Sequence, residues 1–403
     1  MAHSMNEIAM TQELVSTKVT PITEEEAKAA KLHPRVLVED YLYADLRNLI
    51  AAGGTGKTTL LLFEAVMGAL GRPIWGKTVP KPFSTVFVTK EDSREIIVAR
   101  LNRMLEELGA SQDERDQVWS RVSVVDLVGK PYRLSQAEDR ALCANTVNLM
   151  ALAAHVEDVM PDRVIFDPLV SFTHGEGNVN DAEQAVVEAG RYLMRLWPGA
   201  MVEVVHHTGK ANGRTATTDQ YSGRNGSALP DGCRMVAVLV GCDAGRFYEA
   251  TGVRLDPADG DVGLRMALPK LSYAAPQPDL YIRRRGFRFE VVPTLGVEEQ
   301  VKIVEEKRRE KQFEIGQETR DSIISALQMC LNSTDPVVRY PSRSGVLSMP
   351  GVVGANKSRA EALNDLIGEG VVEELPLSSA ELSHFQSRKA LGGRKSFIQI
   401  AED

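Results

Sequence analysis

No run of about 18 apolar residues occurs in the 403-residue chain, so the sequence offers no membrane-crossing helix. The first 31 residues are polar and acidic and lack the apolar core of a signal peptide. Cysteine is scarce and scattered: Cys143, Cys233, Cys242 and Cys330 form no C-x-x-C pair. That spacing indicates neither a disulfide framework nor a zinc site, and a cytoplasmic, reducing location is expected. Positive charge is not in excess either. A net charge of -8 argues against a coat of non-specific basic binding, while leaving open a local DNA path inside a ring or groove. No internal repeat of 20–50 residues is visible, which sets repeat architectures aside.

What is present is a phosphate-binding loop, Ala51-Ala52-Gly53-Gly54-Thr55-Gly56-Lys57-Thr58. The apolar Leu49-Ile50 leads into it and a good helix former, Thr59 to Ala65, follows, which is the strand–loop–helix setting the motif requires. Glycines let several backbone N–H groups turn inward at an anion, and the helix start adds its positive dipole end. Gly53, Gly54, Thr55, Gly56, Lys57, Thr58 and Thr59 are the expected nucleotide-binding residues. Lys57 would reach the β- and γ-phosphates of ATP, and the Thr58 hydroxyl would ligate Mg²⁺. Alanine stands at the first position of the pattern, where glycine is commonest.

At ~150 residues per domain the length suggests two or three domains. Residues 1–33 read as a mobile leader. Between about Arg35 and Val292, β-like apolar runs alternate with helical patterns, the signature of an α/β fold with a mostly parallel sheet. Strands are expected at Thr85–Thr89, Val122–Val125, Val164–Phe166, Met201–Val205 and Met235–Val240, with β-hairpins over 263–292. Helices are expected from Ser93 to Leu108, from Ala137 to Met160, and from Asn180 to about Trp197. Residues 34–297 are assigned to this core and 298–320 to a charged helical linker. Residues 321–403 read as helix, loop, helix and two strands, with helices at Asp321–Leu331 and Asn356–Ile367.

Several polar residues fall at strand ends, where open α/β sheets bind ligands. Asp167 ends the 164–166 strand and is placed to hold Mg²⁺; taken alone it would be a turn former. Glu91, if its strand lies beside the loop strand, can orient the attacking water, with Asp92 or Ser93 capping the helix that follows. His206-His207 closes the next strand without further metal-ligand spacing. Gly209 to Gly226 is rich in Gly, Thr and Ser and carries Lys210, Arg214 and Arg224 against Asp219. It suits a nucleic-acid backbone, or is a plain surface loop.

In order, these residues resemble a known family. The phosphate loop, Glu91-Asp92, Asp167-Pro168-Leu169, Asn180-Asp181, His206-His207 with Lys210, and Arg224-Asn225-Gly226-Ser227-Ala228 with Asp231 and Arg234 look like the RecA-type ATPases of the RepA group of hexameric replicative helicases. Lys270 to Pro276 with Arg283-Arg284 is similar to the end of that family's core. The likeness spans about residues 35–292. It implies a RecA-like core in a homo-hexameric ring, ATP at subunit interfaces, single-stranded DNA in the channel, and a replication initiator or loader as partner. Residue by residue it makes Glu91 the catalytic glutamate, Asp167 the Mg²⁺ aspartate, His207 the γ-phosphate sensor and Arg234 an arginine finger offered to a neighbour. The bland alternative for Arg234 is a surface salt bridge. The C-terminal extension is absent from the minimal family core. Its order is similar to a winged helix, with Lys357 and Arg359 at the start of a recognition helix that meets DNA, or with the whole serving as a protein-docking module. The expected function is thus a ring-forming DNA helicase of a plasmid, prophage or mobile element. The rival is an ATP-gated DNA-binding regulator that unwinds nothing; a small-molecule kinase lacks a recognisable acceptor pocket.

Overall fold

The computed structural model describes residues 20–138, 141–173, 179–209, 217–223, 226–378 and 396–401. The chain falls into two compact units, Met1–Thr294 and Leu295–Asp403.

The first unit opens with α1 (Glu24–Ala29), inside the expected leader, whose Thr23 and Glu26 form a reciprocal capping box. A small hairpin of β1 (Val36–Val38) and β2 (Leu42–Tyr43) leads to β3 (Leu46–Ala51), the phosphate loop and α2 (Lys57–Leu70). Then come β4 (Thr85–Thr89), α3 (Arg94–Glu107), α4 (Gln112–Arg121) and β5 (Val122–Asp126). After β6 (Ser135–Glu138) and β7 (Ala141–Ala144) follow α5 (Thr146–His155), β8 (Arg163–Asp167), α6 (Val179–Leu196) and β9 (Met201–His207). The unit ends with α7 (Ala228–Gly232), β10 (Met235–Gly241), α8 (Ala244–Thr251) and the antiparallel strands β11 (Asp261–Leu271), β12 (Leu280–Arg285) and β13 (Arg288–Val292).

Nine strands form one sheet in the order β13-β12-β11-β10-β3-β9-β8-β4-β5. The six from β10 to β5 are parallel, so the expected α/β fold with a mostly parallel sheet is what the chain adopts. The apolar runs lack polar alternation because both sheet faces are covered. Ile165 faces the core with α2 and α3, while its neighbours Val164 and Phe166 face the core with α5 and α6.

Two expectations fail for local reasons. The helix expected over Ala137–Met160 begins only at Thr146, because Asn145 caps it by accepting from the Asn148 amide; the residues before it form the β6–β7 hairpin. The strand carrying Glu91 does not lie beside the loop strand, since β9 and β8 stand between β3 and β4.

Under α2 the sheet buries four charges. Arg47 on β3, Arg163 on β8 and Glu203 on β9 sit with Glu64 of α2 at 1% exposure or less. Arg47 Nη1 donates to Glu203 Oε1 at 2.6 Å, and Arg163 Nη2 donates to Glu64 Oε2 at 2.7 Å and Glu203 Oε2 at 2.5 Å. Tyr41 Oη donates to Glu64 Oε1 at 2.5 Å and Trp75 Nε1 donates to the same oxygen at 2.9 Å. Two cations and two anions cancel, which is what makes their burial tolerable.

In the second unit, α9 (Val297–Leu331) is one unbroken helix, so the charged segment 298–320 and the helix expected at 321–331 are continuous. No proline or cap at Arg320-Asp321 interrupts the ladder. Then follow α10 (Pro336–Arg339), α11 (Arg343–Leu347), α12 (Asn356–Gly368) and an antiparallel pair, β14 (Val372–Pro376) with β15 (Ser396–Ile400). Ile323, Leu327, Val346, Leu363, Leu366, Val372 and Ile398 make its core.

Substituting Glu64→Gln leaves two buried guanidinium groups facing one carboxylate, and a broken buried pair costs roughly 3–5 kcal/mol. Burial pushes the Glu64 carboxyl up, but Arg163, Arg47, Tyr41 and Trp75 outweigh it and hold it below the ordinary range. Its contribution is therefore complete above the unfolded pKa of about 4.3 and is lost as pH falls through the lower folded value. Urea unfolding from pH 7 downward should show the stability gap between parent and variant narrowing in acid. A gap under ~1 kcal/mol at pH 7 would mean that the cluster does not hold the sheet.

Candidate functional site

The loop strand ends at Ala51, and the chain turns through Gly54 (φ 78°) and Gly56 (φ 88°). Both lie in the left-handed region, where glycine carries no Cβ penalty. Thr55 ties the loop to its own start, Oγ1 donating to the Ala52 carbonyl at 2.5 Å. Helix α2 begins at Lys57 with Gly56 as N-cap, and no side chain caps it. Its first amides are thereby left for an anion. Lys57 is 7% exposed.

Thr58 and Asp167 meet across the end of the sheet: Thr58 Oγ1 donates to Asp167 Oδ2 at 2.6 Å. Asp167 Oδ1 is buried without a hydrogen-bond partner. Burial pushes the Asp167 carboxyl up to about 6; Glu91 and Asp92 push the same way, and Thr58 and Lys57 oppose them. Hard oxygen donors, one of them unanswered, beside a phosphate loop fit Mg²⁺. Thr58 and Asp167 would hold the ion, which would neutralise charge on the phosphates.

Glu91 follows β4, which pairs directly with β8, Thr89 lying opposite Asp167. Glu91 is exposed, and its carboxylate acts on Asp167. It follows a strand on the far side of β8, three strand spacings or about 14 Å from β3. Ser93, not Asp92, caps α3. Asp92 instead accepts from Arg100 at 2.5 and 3.3 Å. His207 ends β9 directly beside Ala51, at the loop's entrance, with His206 beside Ile50.

Arg234 lies at the other end of the sheet. Its amide donates to the Leu46 carbonyl at 3.2 Å, at the start of the strand whose far end carries the loop. Five strand residues, about 17 Å, separate the two. The side chain is exposed. It cannot serve the loop of its own chain.

Lys210, Arg214 and Arg224 lie outside the described residues. In the second unit Lys357 is exposed, 3.8 Å from Glu361. Arg359 is turned inward, Nη1 donating to the Leu347 carbonyl at 2.9 Å.

Arg284 was not legible as a site residue. It reads as the middle of a triple-arginine run, yet strand alternation separates it from its neighbours. Arg283 pairs with Glu290 at 2.5 Å, and Arg285 pairs with Asp261 at 2.8 Å and Asp259 at 3.1 Å. Arg284 faces the other way, toward Gly56.

Asp167→Asn should separate stability from ligand response. The folded protein favours the neutral acid, so the ionised carboxylate opposes folding as pH rises through about 6. Without nucleotide, the variant should unfold at pH 7 no more easily than the parent. The thermal stabilisation that Mg²⁺ and ATP give the parent should be lost. A variant stabilised by both as strongly as the parent would remove Asp167 from the metal site.

Residues 15–213 match the AAA domain family. No curated protein matches the chain. Among solved structures, a KaiC-like protein from the hyperthermophilic archaeon Pyrococcus horikoshii OT3 aligns at 14% identity and a TM-score of 0.40, over 64% of this chain and 94% of that one. That overlay is too loose to place a residue. No helix among the described residues is long and apolar enough to cross a membrane. The phosphate loop, the aspartate beside it and the parallel sheet that carries both make this a candidate nucleotide site, in a chain similar over residues 15–213 to the AAA domain.

Proposed function

We propose that the protein is a Mg²⁺-dependent, ring-forming ATPase that translocates on single-stranded DNA as a replicative helicase of the RepA type. The observation that carries the ring is the position of Arg234. An exposed arginine about 17 Å from its own loop makes sense as a finger only when a second copy brings its loop to it. Glu91 then polarises the attacking water, Asp167 and Thr58 hold the metal, and His207 reads the γ-phosphate beside Ala51. The segment after His207, with Lys210, Arg214 and Arg224, would follow the DNA strand. In the second unit the succession α9, α11, α12 and the β14–β15 hairpin supports a winged-helix reading. The inward-facing Arg359 favours docking to a loader or initiator protein over direct DNA contact. The second reading is an ATP-gated regulator that assembles on DNA and unwinds nothing. Strand displacement by the purified protein, fuelled by ATP, separates the two: DNA-stimulated hydrolysis without displacement selects the regulator.

Glu91→Gln should bind ATP like the parent but hydrolyse it at least about a hundredfold more slowly, because a general base contributes roughly 10²–10⁴. Normal turnover would reduce Glu91 to a surface residue near a helix cap.

Arg234→Ala should keep ATP affinity and lose turnover by about 10³ or more. Lys57→Ala should be inactive from the other side of the shared site. Mixed rings of the two inactive variants contain some interfaces with an intact loop and an intact finger, so ATP hydrolysis should reappear with a dependence on mixing ratio. Arg234→Ala turning over like the parent with DNA present would end the finger assignment.

A further inference from the structure

A second cation, besides Lys57, reaches the phosphate loop from within the same chain. If Gly56 carried a Cβ, Arg284 Nη1 would stand 2.5 Å from it and Cζ 3.5 Å, so the guanidinium leads with its Nη1 end. Arg284 is half-buried, and the β12–β13 hairpin holds it in place. Its Nε donates to the Gly286 carbonyl at 2.9 Å, and Cζ lies 5.6 Å from the Phe289 ring centroid. The hairpin tip is tied to the end of α3, where Glu107 Oε2 accepts from the Phe287 amide at 2.8 Å and Oε1 from Arg103 at 3.1 Å.

We propose that Arg284 is a phosphate ligand of the bound nucleotide, supplied in cis from the β12–β13 hairpin to the anion cradled by Gly56 and Lys57. The inference rests on the nucleotide reading of the loop. Three observations point to an oxyanion. Both flanking arginines have carboxylate partners, but no carboxylate pairs with Arg284 among the described residues. At the same site Asp167 Oδ1 is buried with no hydrogen-bond partner, an acceptor suited to the cation that a phosphate carries with it. Finally, Phe289 backs the guanidinium and its Nη1 end faces the loop, where a charged N–H donor can meet a phosphate oxygen.

The electrostatics agree. Burial lowers the affinity of Arg284 for its proton, and the Arg100 cation lowers it further, with Glu107 only partly offsetting them. Arg100 is bound to Asp92 and does not turn toward a phosphate. A guanidinium stays charged through such a shift, so two cations are held close together with one of them unanswered. An anion over Gly56 relieves this.

The test uses the full-length protein, its Arg284→Gln and Arg284→Lys variants, and two probes, MgATP and inorganic tripolyphosphate with Mg²⁺, by calorimetry. A charge-assisted contact to phosphate should make Arg284→Gln bind both probes roughly 10- to 100-fold more weakly. Arg284→Lys, which keeps the charge but loses the fork, should fall between parent and Gln variant. Arg284→Gln that loses affinity for MgATP but not for tripolyphosphate overturns the proposal in favour of a base contact. Affinities unchanged for both probes overturn it outright while leaving the nucleotide reading in place. A parent that binds neither probe brings down that reading and this inference together. Should Arg284→Gln fail to fold, the same comparison is made with Arg284→Lys, whose affinities matching the parent for both probes would equally overturn the phosphate contact.

Discussion

The placement of the phosphate loop depends on a charge cluster that never touches the nucleotide. Glu64 and Lys57 are seven residues apart on α2 and so share one face of the helix. Glu64 is fixed by Arg163, Tyr41 and Trp75 against the sheet. With that point held, α2 can neither rotate nor slide, and Lys57 and Thr58 are presented in one orientation to the strand ends. Arg47, Arg163 and Glu203 stand on β3, β8 and β9, the strands that end at the loop, at Asp167 and at His207. Hydrophobic contacts alone tolerate small slips between strands. Four buried charges do not, since any slip strands a charge in a low-dielectric interior.

That register places chemistry at one end of the sheet. Lys57 and Thr58 follow β3, Asp167 ends β8, Glu91 follows β4 and His207 ends β9, the crevice outside the carboxyl ends where such sheets take ligands. Arg234 begins β10 and so faces the opposite way. A parallel sheet carries its two ends on opposite sides of the molecule, and a residue at the far end meets a nucleotide only on another copy. The finger proposed for Arg234 would therefore have to act across a subunit boundary, by strand direction and not by residue type alone.

The sequence made the parallel core readable because its strands are buried on both faces and stand out as uninterrupted apolar runs. The loop was readable because glycine spacing, Lys57 and Thr58 are local. Asp167 and Glu91 were readable as strand-end acids, but the route by which Glu91 arrives was not. Strand order is a long-range property, and nothing near Thr85–Thr89 tells that β8 and β9 intervene. The buried charges escaped for the same reason: Glu203 looks like one polar slip in an apolar strand until Arg47 and Arg163 are set beside it. The β6–β7 hairpin was masked by alanine-rich composition that reads as helix, where only Asn145 marks the true start. Arg284 was hidden by its neighbours, since three successive arginines look alike in sequence until the pleat sends the middle one the other way.

The charge pattern at the loop carries the argument one step further. On one side stand Lys57, Arg284 and the uncapped amides of α2, all seeking negative charge. On the other, burial, helped by the nearby charges of Glu91 and Asp92, pushes Asp167 up to about 6. Neither half is at ease alone. Bringing the two halves together would not relieve them, because the Thr58–Asp167 contact fixes the acids where a cation is needed and the loop fixes the cations where an anion is needed. A polyphosphate carrying a divalent metal would answer both, its charge met by Lys57 and Arg284 and its metal held by Asp167 and Thr58. The fold spends part of its stability holding like charges in proximity, and a metal–nucleotide complex returns it. Such a site would favour the pair over either member, since phosphate alone would leave the acids crowded and the metal alone would leave the guanidinium unanswered.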